Sequence, residues 1–226
     1  MLRQRANSER LRPHYPDRLL VRNRRDGKDW SKLIFKQADS PAEFQQIHHL
    51  NYRTFAEELG QYEPDGSGIL IDRFDGHNTY FVAVNHDRVI GMVAAQDRAP
   101  FSIESRLADP GVLNSLAGPL LEVRLLAIEP EFRSGQVLPG LLFELYRFAC
   151  ERSYSHLIIS GITSRLKMYH RLGFRPLGPP VPSGAASFVP MAMPIEASAD
   201  YAAYMERRVR PGADKSVMPP NDTIQR

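Results

Sequence analysis

Cysteine is nearly absent: the 226 residues hold one, Cys150. That excludes an intrachain disulfide framework and a cysteine-rich zinc site, and it suits a reducing cytoplasm, the expected location. Cys150 itself reads as a core residue of a helix. Long apolar runs are also missing. The longest, Val89-Ile90-Gly91-Met92-Val93-Ala94-Ala95, is far below the roughly 18 residues a membrane helix needs. With a mean hydropathy of −0.36, a soluble chain is expected, and no secretory pattern opens it. His48 and His49 are adjacent on an expected helix and cannot both face one metal; no ligand cluster is spaced for one, so no metal is expected. Trp30 and Tyr52 read as packing residues.

The net charge is +3, with a pI near 9.1, but the excess is local. Residues 1–28 hold nine Lys or Arg against three acids, which leaves 20 basic residues (29 − 9) against 23 acids (26 − 3) in the rest. The basic character therefore belongs to an N-terminal arm, residues 1–29. That arm is read as solvated or docked on a partner; a polybasic contact with an acidic partner, membrane surface or nucleic acid stays open. The remainder is mildly acidic, which disfavours nucleic acid as its partner.

Residues 30–196 read as one mixed α/β domain of order β-α-β-β-β-α-β-α-β-β, followed by a C-terminal helix over 198–209 and a mobile tail. Lys32–Lys36 is a short strand, and Ser40-Pro41-Ala42-Glu43 has the form of a capping box opening a helix that Gly60 stops. Thr79–Val84 and Arg88–Ala94 form a hairpin. After short helices at 103–107 and 112–116 comes the strand Leu120–Ile128, then helices over 140–152 and 164–172 around a strand at 156–160. Strands at 175–177 and 188–193 close the domain, with a Pro-rich loop between them.

The strand Leu120–Ile128 carries Glu122 and Arg124 two residues apart, hence on one face, with Leu121, Val123 and Leu125 on the other. Opposite charges there need each other, water or a substrate. The following stretch, Ile128-Glu129-Pro130-Glu131-Phe132-Arg133-Ser134-Gly135-Gln136-Val137-Leu138-Pro139-Gly140-Leu141-Leu142, resembles the acyl-donor loop of the GNAT superfamily of N-acyltransferases. Ile128, Pro130, Phe132, Arg133, Leu141 and Leu142 fall in register with the pattern Val-x-Pro-x-Tyr-Arg-Gly-x-Gly-x-Gly. Gln136 and Leu138 replace its later glycines. A turn opening a helix offers free N–H groups to a phosphate. Tyr169-His170-Arg171-Leu172-Gly173-Phe174 resembles that superfamily's Tyr-x-x-x-Gly-Phe signature.

A narrower resemblance rests on Asn51-Tyr52-Arg53-Thr54-Phe55, Asp72-Arg73-Phe74-Asp75 and Glu122-Val123-Arg124. These look like successive signatures of acyl-homoserine-lactone synthases and the related long-chain N-acyl amino acid synthases. Asn51, Leu70 and Ala94 depart from the lactone-synthase pattern, which favours the amino acid synthase side.

The resemblance implies a GNAT-like, mostly antiparallel sheet flanked by helices, with a splayed strand pair for the donor. It implies acyl transfer from acyl-CoA or an acyl-carrier protein phosphopantetheine to a small amine by direct attack. Glu122 is the expected base and Arg124 its orienter or a carboxylate holder. Leu126, Ala127 and Ile128 offer N–H groups to the oxyanion, Arg133 and Ser134, Gly135, Gln136, Val137 and Leu138 hold the donor phosphate, and Tyr169 protonates the leaving sulfur. Phe55, Asp72 and Asp75 would meet the acceptor. Arg147, Arg152, Lys167 and Arg171 could face an acidic carrier. An acetyl-CoA-dependent small-amine N-acetyltransferase and a non-catalytic GNAT-fold binding module remain as alternatives.

Overall fold

The computed structural model describes residues 19–20, 30, 32–133, 135–184 and 186–198. Apart from Ser198, which ends a 3-10 segment, the expected helix at 198–209 and the tail lie outside this set, as does most of the basic arm. Leu19–Leu20 of that arm form a short strand, β1, on β2 (Ile34–Gln37).

Ser40 caps the first helix, α1 (Pro41–Asn51), by accepting the Glu43 N–H at 3.3 Å, with proline preset at the first helical position. Its continuation differs from the expected uninterrupted helix. Tyr52–Glu58 form a π-helical turn in which the Leu59 N–H reaches back five residues to the Thr54 carbonyl at 3.0 Å. Gly60, at φ +58°, ends it.

Strands β3 (Thr79–Asn85) and β4 (Arg88–Gln96) make the expected hairpin, and its two turn residues, His86 and Asp87, both have positive φ as the strand twist requires. β5 (Leu120–Ile128) follows two short 3-10 segments, then α2 (Val137–Glu151), β6 (His156–Ile162) and α3 (Leu166–Leu172). β7 (Arg175–Pro176), β8 (Val181–Ser183) and β9 (Ala186–Pro194) complete the sheet. The Pro-rich loop thus contributes a strand, β8, that was not expected. Strand order is β1-β2-β3-β4-β5-β6-β9-β7, with β8 also on β9. Every pairing is antiparallel except β5–β6.

Both faces of the sheet are covered, so β3 is apolar on both. Phe81 and Ala83 join Leu141 and Leu145 of α2, while Tyr80, Val82 and Val84 join Ile47 and Leu50 of α1. Trp30 is fully buried in the α2-side core, as a packing residue should be. Cys150, by contrast, is exposed rather than core: α2 turns it outward at its last turn.

Candidate active site

Two irregularities in β5 create the site. Gly91 and Met92 of β4 pair with Ile128 and Ala127, but Ala94 pairs with Arg124. Leu125 and Leu126 therefore stand together opposite Val93, a β-bulge in which Leu125 takes φ +49°. The extra residue resets the alternation. Leu125, expected beside Leu121 and Val123, packs instead with the α1-side cluster, and Leu126 takes up the α2 side. The second irregularity is a splay: the parallel β5–β6 ladder ends at Glu122–Ile158, although both strands run on. A cavity of about 710 Å³ occupies the gap.

Glu122 is fully buried, and its carboxylate accepts four hydrogen bonds. Gln96 Nε2 (2.7 Å) and the Ser102 N–H (2.8 Å) donate to Oε2; Ser102 Oγ (2.6 Å) and the Ile103 N–H (2.7 Å) donate to Oε1. A carboxylate has about four lone-pair sites, so all are occupied. Arg124 approaches this carboxylate only to 3.9 Å. Its main partner is Asp72, gripped by both terminal nitrogens at 2.6 and 3.1 Å, while its Nε donates to Ser102 Oγ at 3.1 Å and the guanidinium lies 4.4 Å over the Phe74 ring. Asp72 also accepts from Asn78 Nδ2 and the Phe74 N–H. Asp75 accepts from the Tyr80 hydroxyl at 2.8 Å and contacts His48 Nε2 at 3.0 Å. Burial, with the Asp75 carboxylate adding to it, raises the Tyr80 pKa well above that of an ordinary phenol.

On the donor side, Arg133 donates from Nε to the Ile128 carbonyl at 2.9 Å and clasps Glu58 with both remaining nitrogens. That pair raises the Arg133 pKa and lowers that of Glu58. Gly135 adopts φ +134°, a conformation glycine tolerates. Gln136 flanks the start of α2 with its side-chain nitrogen buried and without a hydrogen-bond partner among the described residues. The adjoining Val137 and Leu138 N–H groups belong to the first turn, which has no intrahelical acceptors. Orphan donors of this kind fit a phosphate. Tyr169 packs its ring on Gly161, where a Cβ would lie 2.8 Å from a ring carbon. Burial pushes its phenol above the ordinary value, opposed by a hydrogen bond from the Ile162 backbone and by the Arg165 charge.

Residues 50–143 match the family model described as "Acetyltransferase (GNAT) domain". The match spans 94 of the 226 residues, and the fold is GNAT-like. No curated protein matches the sequence significantly. Among solved structures, a CoA-dependent acyl-homoserine lactone synthase, BjaI, described with SAM and isopentyl-CoA, shares 19% identity, with a TM-score of 0.60 over 75% of this chain and 83% of its own. FeeM, an N-acyl amino acid synthase from uncultured soil microbes, shares 19% at 0.59, over 73% and 91%. The acyl-homoserine lactone synthase LasI shares 18% at 0.60, over 76% and 94%. These identities carry the fold, and the neighbours are acyltransferases of the branch the sequence motifs resemble.

Within this GNAT-like fold, the expected residues divide. Phe55, Glu122, Arg124, Leu126, Ile128, Arg133, Leu138 and Tyr169 line one cavity. Ala127 is buried on the α1 side, Val137 is core, and Asp75 serves the Tyr80–His48 cluster. Asp72 reaches the site only through Arg124. Ser134 lies outside the described residues. Sequence reasoning missed Gln96, Ser102 and Glu58. Ser102 sits in an irregular, proline-bearing stretch with no period to mark it, whereas Gln96 was legible as the lone amide ending an apolar strand.

Proposed function

We propose that this chain transfers an acyl group longer than acetyl from a phosphopantetheine thioester, on acyl-CoA or an acyl-carrier protein, to the amine of a small acceptor. The observation that carries this reading is the inner end of the cavity. Beyond the splay it continues along Leu138, Leu142, Leu145 and Tyr146 of α2, facing Leu157, Met168 and Leu172. Leu138 to Tyr146 rises about 12 Å along the helix, a wall that a two-carbon group could not span.

In the proposed step the amine nitrogen attacks the thioester carbonyl carbon, a C–N bond forms, and the C–S bond breaks. The bulge at Leu125–Leu126 leaves backbone groups outside the ladder at the cavity wall, suited to the developing oxyanion. Tyr169 gives its proton to the departing sulfur and recovers one from water; the amine's proton leaves to water on the open acceptor side. Glu122, expected as the base, has no lone pair vacant, so we assign it a positioning role: it fixes Ser102 and Ile103, and through Ser102 the Arg124 guanidinium. The start of α2 takes the donor phosphate, and Arg133 joins it by exchanging its Glu58 partner for the phosphate. Among the basic residues expected to face a carrier, Arg147 is tied to Glu144 and Glu151, whereas Lys167 and Arg171 are exposed.

The test is to supply acetyl and dodecanoyl thioesters of CoA and of an acyl-carrier protein with a panel of amines, following thiol release and the amide by mass spectrometry. Dodecanoyl transfer exceeding acetyl transfer is expected. Acetyl transfer alone would make the chain a small-amine acetyltransferase, and no transfer with either donor a binding module.

A further inference from the structure

Four large hydrophobic side chains are exposed among the described residues: Leu59 (42%), Tyr62 (46%), Ile69 (41%) and Ile71 (59%). All four fall in one segment, residues 59–71, between the π-helical turn and Asp72. That segment is held in place from beneath. The Gly66 N–H donates to the Tyr52 hydroxyl at 2.9 Å, the Gly68 carbonyl meets His49 Nδ1 at 2.7 Å, and the Leu70 N–H donates to the His48 carbonyl at 3.1 Å. Its end then alternates as an extended chain does: Leu70 and Asp72 turn inward, to the α1-side cluster and to Arg124, while Ile69, Ile71 and Arg73 turn outward. The apolar side chains are therefore displayed on a backbone whose polar groups are satisfied, and a clustered apolar surface of this kind marks an interaction site.

The patch borders the opening of the cavity. Leu59 and Tyr62 line it together with Arg73, Arg106 and Arg165, and Arg106 lies within electrostatic reach of both Tyr62 and Arg73. None of these three guanidiniums forms an ion pair among the described residues, whereas Arg124 and Arg133 of the same wall are paired. The segment's own exposed acids are Glu63 and Asp65, of which Asp65 accepts the Ser67 N–H at 2.9 Å. A small cationic excess is left on this face. A larger one sits in residues 1–28, with nine Lys or Arg against three acids. An apolar patch edged by guanidiniums, on a chain that also carries a polybasic segment, complements an anionic bilayer: apolar side chains enter the acyl boundary and cations meet lipid phosphates.

We propose that residues 59–71 dock this protein on an anionic lipid bilayer, with Ile69 and Ile71 entering the acyl boundary, Arg73 and Arg106 at the phosphates, and the cavity opening against the membrane. The purpose of that placement rests on the acyl-transfer reading above, and the docking itself does not. The amide of a long acyl chain is an amphiphile, and from such an opening it passes into lipid without crossing water.

The experiment floats the full chain with vesicles of phosphatidylcholine alone, or with phosphatidylglycerol as a quarter of the lipid, at low and at high salt, with circular dichroism on each variant. The wild type should partition onto the anionic vesicles, and less so at high salt. Ile69→Ser combined with Ile71→Ser should weaken partitioning about tenfold or more, the scale of two apolar side chains withheld from lipid. Arg73→Gln combined with Arg106→Gln should weaken it about tenfold, on the anionic vesicles only. Ile71→Trp keeps the patch apolar and reports depth, because the one native tryptophan, Trp30, is fully buried. Its added fluorescence should be quenched by lipid brominated along the acyl chain. Partitioning that survives the double serine variant, or an Ile71→Trp signal that brominated lipid leaves unchanged, overturns the patch and assigns the contact to the basic segment alone. Absence of partitioning overturns the docking. In that case a dimer seen by light scattering and dissolved by the double serine variant makes a second copy the occupant, and capture of an acyl-carrier protein lost in the same variant makes it the carrier. None of these readouts uses acyl transfer, so a chain that acylates no amine can still pass them, and an active transferase can still fail them.

Discussion

Exchanging one carboxylate oxygen of Glu122 for an amide NH2 keeps the shape of the site and reverses the polarity of two of its four hydrogen bonds. If the NH2 faces Gln96 and the Ser102 N–H, Gln96 can turn its buried, unpartnered Oε1 inward, but the Ser102 N–H loses its acceptor. If it faces Ser102 Oγ and the Ile103 N–H, the hydroxyl can turn and accept, but the Ile103 N–H is stranded. Either way one backbone donor goes unmade, at about 1–3 kcal/mol. The remaining bonds lose their charge assistance, which was worth roughly a doubling of each. A total loss of about 2–4 kcal/mol follows for Glu122→Gln, or roughly 5–15 °C in Tm for a domain of this size. Thermal unfolding by circular dichroism reads that loss, and kcat/KM followed across pH reads the role. A positioning residue gives a deficit that does not depend on pH. A variant that melts with the wild type, or whose deficit vanishes as rising pH makes free amine plentiful, would refute the positioning role and restore Glu122 as the base.

Asp72→Ala strands the Arg124 guanidinium in a mostly buried site and should cost about 3–5 kcal/mol in urea unfolding; a loss under about 1 kcal/mol would mean the pair is surface-like. Tyr169→Phe should lower kcat about a hundredfold, while loss of the hydrogen bond with the Ile162 backbone lowers Tm by no more than about 10 °C. Because burial raises that phenol above its ordinary value of 10.0, the proton is retained through neutral pH, and loss of this acid can reduce wild-type kcat only at pH above that value. Leu145→Trp fills the inner end of the cavity and should cut the dodecanoyl-to-acetyl rate ratio about tenfold or more; an unchanged ratio would show that the acyl chain does not run along α2. Glu58→Gln releases Arg133 and should lower the donor KM. A higher KM would assign Glu58 to the donor grip instead.

What the sequence made legible follows from local chemistry. The Ser40 cap, the stop at Gly60, the hairpin at His86-Asp87 and the limits of the Leu120–Ile128 strand depend on residues within a few positions of one another, and the structure keeps them. The strand period holds up to Arg124 and fails at Leu125, because a bulge is one residue set against a partner strand and leaves no trace in its own strand's alternation. Glu122 and Arg124 were correctly joined to one face. Their partners were not foreseeable, since Ser102 and Asp72 come from irregular segments 20 and 52 residues away in sequence. Cys150 shows the limit of helical periodicity at a last turn, where the surface covered by the helix has already run out.

The short parallel ladder between β5 and β6 has a consequence for the sheet as a whole. Where it ends, each strand keeps a row of backbone groups with no strand beside it, so the sheet has two inner edges in addition to its outer ones. An open edge on a protein's surface invites another chain to add a strand and begins aggregation. Here the two edges face each other across the cavity that α2 lines, inside the sheet and away from its rim. The pairing capacity that most sheets must hide at their rim is held in the middle of this one.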